Sequence, residues 1–228
     1  MTWVTIVCLI ITSLIPVQTW AERSFAKKAH DLVKKVDARY AHIQDLQADF
    51  SQETRIEGFE TALRSSGHLR LKKPGLLRWD YVEPSVEHIY VVGDQVSVYV
   101  PEHKQVLKGN LTQMAASKAP LALLQGAGKL AQQFMVAPTP EGTAGDGHLP
   151  RVTLVPKDTE QQASNFERIV LEISPKTSLI QMMMLYEHSG NLSIIRFTHV
   201  KVNQGIQPKQ LQLALPNDIV VVDAPIIQ

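Results

Sequence analysis

The sequence predicts a mainly β fold with helices (α+β), a single antiparallel sheet of about eleven strands that curls and is covered on its apolar face by helical segments. Three observations predict it. From Leu46 onward, apolar residues alternate with polar ones in short runs punctuated by Gly and Pro, the period of half-buried strands. Ahead of these runs lies one segment with the 3.6-residue period of an amphipathic helix. Between the sixth and seventh runs an Ala- and Leu-rich stretch interrupts the alternation.

The elements follow in order. The first 21 residues carry no charged side chain, and Val4 to Ile15 is almost continuously apolar. Thr19 and Ala21 put a small residue at each of the two positions that a signal peptidase reads, so residues 1–21 read as a signal peptide cleaved after Ala21. An uncleaved anchor would need ~20 apolar residues, more than this run supplies. The one cysteine, Cys8, follows Val7 in mid-run and reads as apolar filler rather than a lipid-attachment site. Residues 22–228 then form one domain without cysteine, held by packing alone in an oxidising compartment.

Phe25, Ala29, Leu32, Val33, Val36 and Tyr40 form one helical stripe, with Lys27, Lys28, Lys34 and Lys35 off it. Leu46, Ala48 and Phe50 then alternate with Gln47, Asp49 and Ser51, which buries one face of the first strand. Strands are expected at His68–Lys72, Leu76–Val82, Glu87–Val92, Gln95–Val100 and Lys104–Lys108. Gly93-Asp94 has the glycine-first order of a type II′ hairpin turn. Leu111 to Gln133 reads as two short helices, Pro120 opening one and Gly126 and Gly128 interrupting them. Strands resume at Phe134–Thr139, and a glycine-rich polar loop follows to Pro150. Further strands are expected at Arg151–Val155, Phe166–Ser174, Leu179–His188, Leu192–Val202, Lys209–Leu215 and Ile219–Val222. So many strands in meander order require a sheet that curls, and helices must then cover its apolar face.

Composition narrows the function. A net charge of +1 gives no whole-protein reason to expect nucleic acid or an acidic substrate. The eight histidines are dispersed without a metal-ligand spacing, so no metal is expected. Gln125 to Leu130 fails as a phosphate loop, because Leu123 stands at its first glycine position and Leu130 replaces the hydroxyl residue. There is no nucleophile elbow, and remote carboxylates are not an acid/base pair. A catalytic site is not expected, and no cofactor is.

Two features remain. Met182, Met183 and Met184 lie in one strand, and Leu77, Trp79 and Tyr81 share a face of another. Either is ordinary core or the adaptable wall of an apolar cavity. A buried indole needs a hydrogen-bond partner, which favours a place for Trp79 near a cavity mouth. Arg70 and Lys72 have the parity of a solvated face, whereas Lys73 is fixed beside Pro74 at a strand end close to Trp79.

Leu46 to Gln52, Gly67-His68-Leu69, Lys72-Lys73-Pro74, Arg78-Trp79-Asp80-Tyr81, Glu83-Pro84, Gly93-Asp94, Tyr99-Val100-Pro101, Ala119-Pro120-Leu121 and Leu215-Pro216-Asn217-Asp218 occur here in one order. In sequence and spacing they resemble the outer-membrane lipoprotein carrier (LolA) family. The resemblance implies an incomplete antiparallel β-barrel with helices as a lid over an apolar cavity. It implies acylated lipoproteins as cargo, received from an inner-membrane ABC releasing complex and delivered to an outer-membrane acceptor. It implies a periplasmic protein, and a monomer is expected. Such a task is physically demanding, because an acyl chain of ~16 carbons loses ~0.8 kcal/mol of burial per methylene in water. The cavity wall is then expected from Leu69, Leu71, Leu77, Trp79, Tyr81, Leu121, Leu124, Met182 and Met184. The family carries an arginine before the turn proline that controls lid closure and handover. Lys73 stands there in this chain, keeping the charge without the forked donors, with Pro74 as the turn and Arg78 as a substitute candidate. A related half-barrel that binds or senses other lipids or glycolipids is the alternative, and a secreted hydrolase the more remote one.

Overall fold

The structure, a computed structural model, describes residues 20–111, 120, 123–125, 129–139, 149–157, 166–213 and 215–223. The signal-peptide reading, Cys8 and Leu121 therefore lie outside the described residues, as do Gly126, Gly128 and most of the 138–150 loop. A long helix, α1 (Trp20–Ala41), leads into β1 (Asp45–Arg55), β2 (Leu63–Lys72), β3 (Leu76–Glu83), β4 (Glu87–Val92), β5 (Gln95–Val100) and β6 (Gln105–Asn110). Helical residues at 120 and 123–125 precede a single turn, α2 (Leu130–Gln133). The second group comprises β7 (Phe134–Pro138), β8 (Arg151–Pro156), β9 (Phe166–Ile173), β10 (Ile180–Glu187), β11 (Leu192–Val202) and β12 (Val220–Asp223).

All twelve strands join one open sheet in the order β12-β6-β5-β4-β3-β2-β1-β11-β10-β9-β8-β7. The expected antiparallel sheet and its covering helices are present, with four differences. Among the described residues there are twelve strands rather than about eleven, and the meander breaks at β1, which sits between β2 and β11. The described residues of Lys209–Leu215 form no strand. Pro208 and the reciprocal side-chain bonds of Gln207 and Gln210 turn it into a single 3₁₀ turn at Pro208–Gln210. The last strand, β12, pairs with β6 in parallel, because the chain crosses the sheet from β11 before reaching it.

That crossing is fastened by polar groups. Asp45, almost fully buried, accepts the backbone N–H of Gln204, Gly205 and Ile206 at 2.7, 3.0 and 3.2 Å. Arg78 donates to the Gln212 carbonyl at 2.8 Å, and the Val220 N–H donates to the Lys104 carbonyl at 2.9 Å. Ile206 and Leu211 are buried beneath it.

The register sorts side chains onto two faces. Leu46, Ala48 and Phe50 stand opposite Leu71, Leu69 and Gly67, which in turn face Leu77, Trp79 and Tyr81. These join Ile89, Val91, Val96 and Val98 on one side and Phe197, Ile195, Met183, Leu171 and Leu154 on the other, in one continuous core. Ala29, Val33, Val36 and Tyr40 of α1 and Leu123, Leu124 and Leu130 complete that core. We call this helix-covered side the inner face. Burial of each such Val or Leu stabilises the fold by roughly 1.5–3 kcal/mol, so the stripe is what seats α1. Phe25, the first residue of the expected stripe, is exposed. Asp37 adds a polar tie, accepting the N–H of Leu130 and Ala131 at 2.8 and 3.1 Å and so joining α1 to α2.

Candidate functional site: an apolar wall, a helix latch and a polar cavity

The inner face presents an aromatic wall at its centre. Phe50 packs 4.6 Å from Trp79 and meets Tyr81 edge-on at 5.1 Å, while Phe197 meets Trp79 edge-on at 6.2 Å. Gly67 makes room for it, since it lies between Phe50 and Tyr81 and a Cβ there would fall 1.9 Å from the Asp80 carbonyl oxygen. Leu69, Leu71, Leu77, Trp79 and Leu124 all belong to this inner core. Trp79 does not lie at a mouth as the sequence reading expects. It is 1% exposed, and its indole N–H has no hydrogen-bonded acceptor among the described residues. The half-buried aromatic of the strand is Tyr81 instead, nearer the end of β3, where burial falls away toward Val82 and Glu83.

The methionines divide by parity. Met183 is opposite Ile195 and Leu171 and lies in the inner core. Met182 and Met184 point the other way and cluster with Val170 and Ile194 on the outer face, so the expectation that they line the helix-covered cavity is corrected to Met183. On the same outer face Arg151 and Glu172 form a buried ion pair, with Nη2 to Oε2 at 2.8 Å.

Lys73 occupies the sheet end nearest the end of α1. Its backbone N–H donates to the Gln44 carbonyl at 2.8 Å, and its Nζ donates to the Tyr40 carbonyl at 2.5 Å. The cation is thus hydrogen-bonded to the last turn of a helix, where a positive charge is favoured. Burial holds its ammonium below the ordinary lysine range. Pro74 and Gly75 turn the chain immediately afterwards, with Gly75 at φ +65°. Tyr40 ties the same helix end a second time, since its hydroxyl accepts the Ile180 N–H at 3.3 Å. Burial pushes that phenol up to about 12, so it remains a hydroxyl.

Arg78 takes no part in this tie. It has the parity of Asp80, opposite to Leu77 and Trp79, and its Nε contacts both Asp80 oxygens at 2.9 Å while Nη1 holds the Gln212 carbonyl. The expectation that it substitutes as a latch is therefore corrected: it fastens the C-terminal crossing. A second charged cluster on the outer face centres on Asp49. Asp49 accepts from His68 at 2.6 Å and His199 at 2.8 Å, which holds its carboxyl below the usual range, the His68 bond contributing most.

At the far end of the inner face, a cavity of about 540 Å³ opens beside Tyr81. Gln52, Thr54, Ser65, Glu83 and Glu87 line it. The Tyr81 hydroxyl donates to Gln52 Oε1 at 2.8 Å, Gln52 Nε2 donates to Thr54 Oγ1 at 3.1 Å, and Thr54 and Ser193 share a bond of 3.2 Å. Burial and the Glu87 charge both push the Tyr81 phenol up, so it stays a donor. These polar groups were not singled out from sequence, although the alternation of β1 already places Gln52 and Thr54 on the face of Phe50. Among the described residues no group of three or more His, Cys, Asp or Glu side chains could hold a metal ion. Among them, too, no helix is long and apolar enough to cross a membrane.

Known proteins resemble this chain along most of its length. An outer-membrane lipoprotein carrier protein of Hahella chejuensis is 29% identical over 185 residues, covering 81% of this chain and 85% of its own. One of Methylobacillus flagellatus is 26% identical over 216 residues, covering 95% and 96%. The fold is also that of a conserved uncharacterized protein of Thermus thermophilus, whose crystal structure superposes with a TM-score of 0.53 at 14% identity. That match covers 86% of this chain and 99% of the other. The family model described as "Outer membrane lipoprotein carrier protein LolA" matches residues 41–213, and the chain belongs to that family.

Proposed function

We propose that this protein carries acylated lipoproteins across the periplasm, as one carrier domain released by cleavage after Ala21. It takes them from an inner-membrane ABC releasing complex, passes them to an outer-membrane acceptor, and catalyses no reaction. The observation that carries this reading is the single apolar wall of the inner face, covered by helices whose polar attachment is concentrated at Lys73 and Tyr40. An acyl chain needs a broad apolar surface that is screened from water. A carrier must also release its load, and a cover held by a few exchangeable polar bonds meets that need.

The wall residues are Leu69, Leu71, Leu77, Trp79, Tyr81, Leu124 and Met183, and the latch is Lys73 beside Pro74. Acyl chains replace the stripe of α1 and the second helical segment against the wall, and breaking the Lys73 bond permits that exchange. Mass spectrometry of protein purified gently from native periplasm tests the reading. A co-purified triacylated lipoprotein is expected. A free lipid alone would instead make the protein a lipid-binding relative of the carriers, and a protein free of any acyl compound under loading conditions would sink both.

A further inference from the structure

The apolar wall has two unlike ends. At one, Lys73 and Tyr40 hold the end of α1 against the sheet. At the other, beyond Tyr81, the wall becomes a band of hydroxyl and amide groups: Tyr81, Gln52 and Thr54 line a cavity of about 540 Å³, and buried Ser193 is bonded to Thr54. That volume lies within the range of small-ligand sites. Exposed Phe59, Leu63, Val82 and Val86 ring the same end of the sheet, on or beside the hairpins that join β1 to β2 and β3 to β4. A chain that lies along the wall and leaves it at this end would place the group that joins it among these polar side chains.

The band is equipped for an uncharged acceptor. The Gln52 amide nitrogen has two hydrogens and spends one on Thr54, and hydroxyls rotate to suit a ligand. Deeper on the same face, the Trp79 indole N–H is buried beside the Tyr81 phenol with no better acceptor among the described residues. Ester and amide carbonyls are such acceptors. The charged groups point to what is excluded. Glu83 and Glu87 line the cavity, and the only cation lining it among the described residues, Arg64, is paired with Glu53 Oε2 at 3.4 Å. An apolar wall cannot distinguish the chains of a lipoprotein from those of a phospholipid. Discrimination has to act where the chains are joined, and like charges placed there reject the wrong partner.

Resting on the carrier reading, we propose that this cavity seats the neutral ester and amide junction of the cargo lipid, and that Glu83 and Glu87 exclude phosphate headgroups. The junction accepts hydrogen bonds from the spare Gln52 amide hydrogen and the Thr54 hydroxyl, while Tyr81, its one O–H committed to Gln52 Oε1, orients that amide. A phosphodiester brought to the same place meets the charge of Glu87, half-buried, and of Glu83, which is exposed and accepts the Ser66 hydroxyl at 3.3 Å.

Displacement of the neutral dye Nile red from the full protein tests this, with dioleoylglycerol, dioleoylphosphatidic acid and a synthetic triacylated lipopeptide as competitors. The protein is expected to bind the lipopeptide and to favour dioleoylglycerol over dioleoylphosphatidic acid by at least about tenfold, since like-charge contact in an interface is strongly unfavourable. The preference should shrink as salt screens the carboxylates. Glu83→Gln with Glu87→Gln should reduce it to about threefold or less without weakening dioleoylglycerol. Gln52→Leu should weaken dioleoylglycerol by roughly 2- to 10-fold, the worth of one neutral hydrogen bond. Equal affinity for the two lipids, or a preference that survives removal of both carboxylates, overturns the headgroup assignment while leaving the carrier reading intact. Failure to bind the lipopeptide overturns the carrier reading and this inference with it.

Discussion

Replacing Lys73 with leucine isolates the latch. The bond lost is a charged Nζ donating to the Tyr40 carbonyl at 2.5 Å. Hydrogen bonds to charged groups contribute about 1.5–3 kcal/mol, but two features of the site lower that figure. The Tyr40 carbonyl also accepts the Ile43 N–H at 3.2 Å, so the substitution leaves no orphaned acceptor. Burial already disfavours the ammonium, a cost that leucine removes. A net loss of about 1–1.5 kcal/mol follows, and since every 1.4 kcal/mol is tenfold, α1 should open roughly 5- to 10-fold more often. Native-state hydrogen exchange read at the last turns of α1 measures that opening directly. Protection at Val36 to Tyr40 should fall by this factor, while β1 and β2 keep theirs. In a transfer assay the variant should load lipoprotein yet deliver it poorly, as the proposed handover role requires. Lys73→Arg should restore the exchange protection. Unchanged protection in the leucine variant would refute the latch, and normal delivery by it would refute the handover role.

Three other outcomes follow from the packing and the charges. Gly67→Ala drives a methyl group to 1.9 Å from the Asp80 carbonyl and 3.0 Å from the Phe50 ring. It should cost more than the roughly 1–3 kcal/mol of ordinary overpacking, and a urea midpoint within error of the parent would contradict the register of β1, β2 and β3. Arg151→Met strands a buried carboxylate and should cost about 3–5 kcal/mol, most of it recovered when Glu172→Met is added, as chemical denaturation of the cycle would report. Asp49 has a folded pKa depressed below its unfolded value, so its contribution is present above ~pH 4 and lost as pH falls through the depressed value. Because its side chain is nearly half exposed, Asp49→Asn should cost at most about 1 kcal/mol at pH 7. That gap in urea stability should narrow as pH falls below about 4 and through the depressed value, and a gap that stays constant would show that the histidine bonds do not set it.

Much of the architecture is legible from local pattern. The period-2 runs placed eleven of the strands within a few residues, because a half-buried strand writes its faces into its alternation. Residues 209–215 misled for the same reason, since alternating Leu211 and Leu213 look like a strand. Among the described residues there only Leu211 is fully buried, and the Gln207–Gln210 capping bonds, invisible to hydrophobic periodicity, set a 3₁₀ turn instead. Of the wall, Leu69, Leu71 and Leu77 follow from parity alone. Which methionine faces the helices does not, because β10 is apolar on both sides and only its pairing with Leu171 and Ile195 selects Met183. Arg78 looked close to Lys73 along the chain, but its strand parity sends it to the opposite face. The polar end of the wall was hidden for another reason. Gln52, Thr54 and Ser193 become a unit only when β1 and β11, far apart in sequence, lie side by side.

That long-range pairing also governs how the chain must be assembled. Leu46 meets Val202 only after nearly the whole polypeptide is available, so a chain emerging from its N-terminus first presents β1 to β6 as a half-sheet with an unpaired edge at β1. Closing so distant a contact is intrinsically slow, and an open strand edge invites wrong partners meanwhile. The long, polar-flanked β1, with Glu53 and Arg55 on its outer side, is thus exposed to solvent in the growing chain and sealed only by the last third to be made. A truncation before β11 should therefore yield not a smaller carrier but an aggregating half-sheet.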